Sequence, residues 1–154
     1  MHAQVSRYFV YVLCAFLISG CGPIPTGDYY ARVVYVYDGD TVKLDNGEKV
    51  RYLGIDTPEM NYKNPPAEYL AQQAKRFNAN LVYRKKVRLE LDVVKRDKYD
   101  RLLAYVYLDD VFVNAKMIEE GYAKVYIIPP NIRHADDFLD LQRKAREEKK
   151  GIWN

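Results

Sequence analysis

Three hydrophobic periods divide this chain of 154 residues. An unbroken apolar run, YFVYVLCAFLIS, fills residues 8–19. From residue 31 apolar and polar positions alternate, which predicts strands over 31–44, interrupted at Asp38-Gly39-Asp40, and over 48–55. Asn46-Gly47 between them is a strong hairpin signal. Pro58 stops the returning strand, because proline has no N–H to give a ladder. Residues 65–82 change to helical spacing: Leu70, Ala74, Phe77 and Leu81 share a face, with Pro65 and Pro66 at the entrance. Alternation resumes in KKVRLEL (85–91), and RLLAYVYL, Asp109-Asp110 and VFVN (101–114) read as a second hairpin. A short helix over about 114–120 is closed by Gly121. A last helix over 136–150 carries Asp136 and Asp137 early and lysines late, as the helix dipole prefers. Gly151 ends it, and Trp153 is expected to fold back onto the body. Strands and helices come grouped rather than alternating, so the class is α+β, with a small closed barrel and helices packed around it.

The apolar run at 8–19 is too short to span a bilayer, which takes about 20 apolar residues. It follows the weakly basic start MHAQVSR and ends in LISGC. This resembles a bacterial lipoprotein signal, with Cys21 as the lipidated first mature residue; an ordinary cleaved signal or an uncleaved anchor is the alternative. On the lipoprotein reading residues 1–20 are removed and 21–30 form the lipidated cysteine and a Pro/Gly-containing tether. The domain then occupies 31–154. Cys14 leaves with the signal and Cys21 carries lipid, so no thiol remains for a disulfide or a metal site. Removal of Arg7 lowers the formal charge from +3 to +2, a mild positive balance that permits a polyanionic partner. The 15 tyrosines suit either a sheet-rich core or platforms for stacked bases.

A two-residue Asn46-Gly47 turn would pair Asp45 with Glu48, Val42 with Arg51 and Asp40 with Leu53. That register makes Asp40 and Arg51 diagonal neighbours on one face and brings Asp56 opposite Tyr37. Carboxylates gathered in one place repel, and a hard divalent cation with oxygen ligands is the usual reason for gathering them. Two purely local acidic turns are the other reading, since Asp-Gly is common in turns. Histidine and cysteine ligands are lacking, which argues against zinc. Arg51 either neutralises the acids or clamps a phosphate with two hydrogen bonds. Glu59 stands just past the turn, where a carboxylate can take a proton from water. Arg101 adds a second guanidinium at the start of a strand. A cation, two arginines and a carboxylate base are what phosphodiester hydrolysis requires.

The segments DGDTVKL, VRYLGIDTPE, DKYDRLLAYVY and AREEKKGIW together resemble the staphylococcal nuclease (thermonuclease) family over residues 31–154. The resemblance implies a five-stranded OB-type β-barrel with three helices. It also implies a Ca²⁺-dependent nuclease of DNA and RNA that cuts the 5′ P–O bond and leaves 3′-phosphates. Carried over by position, Asp40 and Asp56 would bind Ca²⁺ through their side chains and Thr57 through its carbonyl. Asp38 would stand behind them. Glu59 would act on the water, and Arg51 and Arg101 would hold the phosphate and stabilise the transition state. Lys98, Tyr99 and Tyr126 would line the nucleotide pocket. Two departures stand out. Asp100 occupies a position where the family often has glycine, and the loop MNYKNPP after Glu59 is shorter than in the best-known member.

The expected protein is therefore a monomeric nuclease held at the cell envelope, at an outer membrane or cell surface, through lipid on Cys21. It has DNA and RNA as substrates, and no protein partner is evident. Two alternatives belong to other classes. An OB-type barrel can bind single strands without cutting them, but Asp40, Arg51, Asp56, Glu59 and Arg101 are all present. A structural calcium-binding lipoprotein would leave the two arginines without a purpose. His134 is read as a surface helix residue and 143–150 as a solvated helix face. Lys85, Lys86 and Arg88 are read as strand-edge charge.

Overall fold

The structure, a computed structural model, describes residues 29–61 and 68–154. The expectations for the signal, for Cys21, for the tether up to residue 28, for Pro65 and Pro66, and for most of the loop after Glu59 lie outside the described residues. The chain runs β1 (Tyr29–Val36), β2 (Thr41–Leu44), β3 (Lys49–Tyr52), β4 (Ile55–Asp56), α1 (Ala71–Val82), β5 (Lys86–Arg96) and β6 (Leu102–Leu108). It continues through β7 (Val111–Phe112), α2 (Val113–Glu119), β8 (Lys124–Val125), α3 (Ala135–Glu147) and a 3₁₀ turn at Gly151–Trp153.

The five longer strands close on themselves. β3, β2, β1, β5 and β6 pair in that order, and a parallel β3–β6 pairing joins the ends. Closure removes the free edges that would otherwise invite pairing with another chain. Alternation along the strands decides the inside: Val33, Val42, Leu44, Val50, Val87, Leu89, Ala104 and Val106 are fully buried. Burial of each large aliphatic side chain contributes about 1.5–3 kcal/mol. The expected α+β barrel with three helices is what forms.

Several boundaries differ from the expectation. β1 begins at Tyr29, so Tyr29 and Tyr30 belong to the sheet and not to a tether. α1 starts at Ala71, after Leu70 at φ 64°, where the chain turns sharply into the helix. VFVN forms only a two-residue strand before α2 takes over at Val113. β5 lies between β1 and β6, so Lys86 and Arg88 are not edge charges. His134, at the start of α3, is only partly exposed: its ring packs edge-on against Tyr105 and Phe112, with centroids 4.6 and 4.9 Å away. Trp153 does fold back, and its ring receives the Arg146 guanidinium at 4.2 Å.

The β2–β3 hairpin is shifted by one residue from the two-residue-turn register. Thr41 pairs with Arg51, Val42 with Val50 and Lys43 with Lys49. Leu44 and Glu48 close a three-residue loop in which Gly47 takes φ 90°, a conformation that glycine adopts without strain.

Two buried asparagines fasten the helices to the barrel. Asn114 of α2 donates to the Leu53 carbonyl at 2.8 Å and accepts from the Val106 N–H at 2.9 Å. Asn78 of α1 accepts from the Tyr52 hydroxyl at 3.0 Å and donates to the Asp38 carbonyl at 3.1 Å. The second clamp fixes the bend between β1 and β2.

Candidate active site

Asp40 lies in that bend, where strand alternation no longer sets the direction of a side chain. It meets Arg51 despite the shifted register. The Arg51 Nη1 is 3.0 Å from Asp40 Oδ2, and Nη2 is 3.0 Å from Asp56 Oδ1. Nη1 also donates to the carbonyls of Ile55 at 2.9 Å and Tyr52 at 3.2 Å. The guanidinium is thus held by two carboxylates and the backbone that leads into Asp56.

Asp40 is almost fully buried and well supplied with donors. Its Oδ2 accepts from both the N–H and the hydroxyl of Thr57, each at 2.9 Å, and its Oδ1 accepts from the Thr41 hydroxyl at 3.0 Å. Asp38 Oδ1 accepts the Asp40 N–H at 3.0 Å and stiffens the bend from behind. Gly39 makes the close approach possible: a Cβ there would stand 2.7 Å from Thr57 Cγ2.

Burial and mutual repulsion raise the proton affinity of the whole cluster. Asp40 is pushed up to about 6, chiefly by burial, with Arg51 opposing the rise. Asp38 and Asp56 are raised, again mainly by burial. Glu59 is raised by partial burial and then by the charges of Asp40 and Asp56, which places it within their field. Its N–H donates to the Glu68 carboxylate at 3.0 Å, and its carbonyl accepts the Glu68 N–H at 3.0 Å.

Among the described residues no three His, Cys, Asp or Glu side chains stand together as a ready metal site. The smaller donor set nevertheless fits a hard cation. Asp40 and Asp56 point at one shared positive group, the Arg51 guanidinium, and every nearby candidate donor is oxygen. The carboxylates' raised proton affinities come first from burial and then from their mutual charges, and a divalent cation would favour their ionised forms.

Arg51 also lines a cleft of about 560 Å³ together with Lys98, Tyr99, Arg101 and Tyr126. The parallel pairing of β3 with β6 explains this. Arg51 pairs with Leu103, and Arg101 lies two residues earlier along the same face. Tyr99 and Tyr126 are 68% and 54% exposed, so their rings remain open to a ligand. The sequence-predicted residues therefore form two groups joined at Arg51. One is the carboxylate cluster of Asp38, Asp40, Asp56 and Glu59 with Thr57; the other is the basic and aromatic cleft.

The sequence alone assigns Asp97 no role, yet it organises the cleft's basic side. Its Oδ2 accepts Arg101 Nε at 2.7 Å, and its Oδ1 accepts the N–H groups of Tyr99 at 2.9 Å and Arg101 at 3.0 Å. Burial works against its charge, but these hydrogen bonds hold its pKa below the ordinary value. The signal was present as an aspartate opening a tight turn, two residues before an N–H that it accepts. Asp100 takes φ 61° in this turn, a left-handed conformation suited to glycine and tolerated by aspartate. Its carboxylate lies 3.5 Å from Arg96, while Arg101 keeps Asp97 as its partner.

Residues 49–154 match the family described as staphylococcal nuclease homologue. The thermonuclease of Staphylococcus intermedius is 35% identical over 152 residues, covering 94% of this chain and 90% of its own. The endonuclease YncB of Bacillus subtilis is 42% identical over 122 residues, covering 76% of this chain, which spans 58% of that relative's length. Protein MJ1439 of Methanocaldococcus jannaschii is 37% identical over 151 residues, covering 82% of this chain and 72% of its own.

Proposed function

This chain belongs to the staphylococcal nuclease family, and from that premise we propose that it is a Ca²⁺-dependent nuclease of DNA and RNA. The observation that carries the proposal is the meeting of two groups at Arg51: the buried Asp40 and the half-buried Asp56 on one side and a two-arginine cleft on the other.

Asp40, Asp56 and the Thr57 carbonyl are assigned to hold Ca²⁺. When bound, the ion supplies positive charge against the phosphate and lowers the pKa of a nearby water. Glu59 is exposed and has a raised pKa, which suits it to accept a proton from the attacking water. The water oxygen bonds to phosphorus, the bond to the 5′-oxygen breaks, and that oxygen takes a proton from solvent, so that a 3′-phosphate and a 5′-hydroxyl result. Arg51 and Arg101 meet the equatorial oxygens, where negative charge develops. Lys98 neutralises a flanking phosphate, and Tyr99 and Tyr126 stack on bases. Asp38 and Asp97 are positioning residues: one holds the bend under Asp40, and the other holds Arg101. The site acts at the cell envelope, tethered by lipid on Cys21, a reading supported by the basic start, the apolar run and the LISGC ending of residues 1–21.

The test is cleavage of single- and double-stranded DNA and RNA by the full chain, with Ca²⁺ or with excess chelator, followed by end-group analysis. Ca²⁺-dependent products bearing 3′-phosphates are expected. Cleavage unaffected by chelator, or products bearing 5′-phosphates, would overturn the assignment.

A further inference from the structure

The outer face of β1–β2–β3 carries a row of groups that the catalytic reading does not use. Tyr35 pairs with Lys43, and Lys43 with Lys49, so the three side chains stand on one rung and all are exposed. The next rung holds Tyr37, whose N–H donates to the Thr41 carbonyl, then Thr41, then Arg51. Directly opposite residues share a face, so the Tyr35–Lys43–Lys49 row lies beside Arg51 on the outside of the barrel. Lys49 is also the β3 residue next in register to Arg101, one step before the Val50–Leu102 pair. The row is therefore continuous with the candidate catalytic cleft and leads away from it toward β1, about 10 Å across two strand spacings.

Its chemistry is that of a single-strand platform. The rings of Tyr35 and Tyr37 meet edge to face with centroids 4.8 Å apart. Lys49 Nζ lies 4.3 Å from the centre of the Tyr37 ring, and Lys75 Nζ lies 5.5 Å from that of Tyr35. Among the described residues neither Lys43 nor Lys49 has a carboxylate within ion-pair reach. The bordering Glu48 is taken by Arg96 at 2.8 Å. An exposed Tyr35 beside a half-buried Tyr37, interleaved with lysines that no carboxylate among the described residues neutralises, offers stacking to bases and charge to phosphates. A duplex keeps its bases stacked inside and reaches only the lysines.

We propose that Tyr35, Tyr37, Lys43 and Lys49 form an extended binding site for a single-stranded polynucleotide, carrying the strand away from the scissile phosphate on the side opposite Tyr99 and Tyr126. The proposal rests on the nuclease reading above for its direction, and adds that long single strands bind more tightly than short ones or duplexes.

The test compares the full chain with a Tyr35→Ala, Lys43→Gln, Lys49→Gln triple variant, using a single-stranded 12-mer, its duplex and a dinucleotide. The variant is expected to show about a tenfold higher KM for the 12-mer, with kcat and dinucleotide cleavage within twofold of wild type. Loss of two phosphate contacts should also reduce the slope of log K against log salt by about 1.4. Tyr35→Phe keeps the platform and should keep the low KM. Fluorescence anisotropy of the 12-mer in chelator reads the same site without catalysis. Weaker binding by the triple variant there supports the site even if wild type cleaves nothing, an outcome that would sink only the nuclease reading. Unchanged 12-mer affinity in a folded variant overturns the proposal. So does loss of binding to anionic over zwitterionic phospholipid vesicles with 12-mer binding intact, which would assign the face to a membrane.

Discussion

Arg51 and Asp40 meet at 3.0 Å with their side chains only 13% and 3% exposed. Breaking a buried ion pair leaves the surviving charge uncompensated, at a cost of about 3–5 kcal/mol. Arg51→Gln should therefore destabilise the chelated protein by about 3 kcal/mol. Ca²⁺ should restore stability more in this variant than it adds to wild type, because the same carboxylates then lack their guanidinium. Thermal unfolding with and without Ca²⁺ checks both. An equal Ca²⁺ shift in the two proteins would separate the cation site from the Arg51 partners.

Burial sets the sign of the pH dependence. Asp40 has a folded-state pKa of about 6, raised from 3.8. A raised pKa favours the folded state most below about pH 4, and this contribution is lost as pH rises through about 6. In chelator, Asp40→Asn should gain on wild type by about 2–3 kcal/mol between pH 4 and pH 8. Urea unfolding at the two pH values measures the gap. A gap that does not change would mean that Asp40 stays ionised throughout.

Asp97 orders Arg101 through both charge and geometry. Asp97→Ala should lower kcat/KM for cleavage by about tenfold or more, in proportion to the loss of an oriented guanidinium. It should also cost about 1–3 kcal/mol in stability, since the Tyr99 and Arg101 N–H groups lose their acceptor. Asp97→Asn keeps an acceptor oxygen for those N–H groups and should recover most of the stability but less of the rate. Equal recovery of both would make Asp97 purely structural.

Asp100 takes a left-handed conformation and pairs with Arg96 rather than with Arg101. Its left-handed φ of 61° costs a non-glycine residue about 1 kcal/mol, and its carboxylate faces Arg96 with its side chain 78% exposed. Asp100→Gly should stabilise the protein by about 0.5–1 kcal/mol and leave kcat/KM within twofold. A large gain in activity would show that this carboxylate restrains Arg101 after all.

Local pattern was legible and non-local pairing was not. The alternation in 31–44 and 48–55, with Asn46-Gly47, announced the β2–β3 hairpin. The one-residue difference in register came from Gly47, which at φ 90° closes a three-residue loop. Asp40 reached Arg51 anyway because it belongs to a bend fixed by Asp38 and Asn78, not to a strand. The parallel β3–β6 pairing that puts Arg51 and Arg101 in one cleft joins residues about fifty positions apart, and no periodicity encodes it. Nothing in the sequence singles out Asn78, since its two hydrogen bonds exist only once α1 docks on the barrel.

The central claim, that the cluster at Arg51 hydrolyses phosphodiesters, is tested most directly by Glu59→Gln and Arg101→Ala on one single-stranded substrate in saturating Ca²⁺. Each should lower kcat by at least about 10²-fold, with the fold and substrate binding kept. Cleavage at wild-type rates in both variants would contradict the account and place the chemistry elsewhere on the molecule.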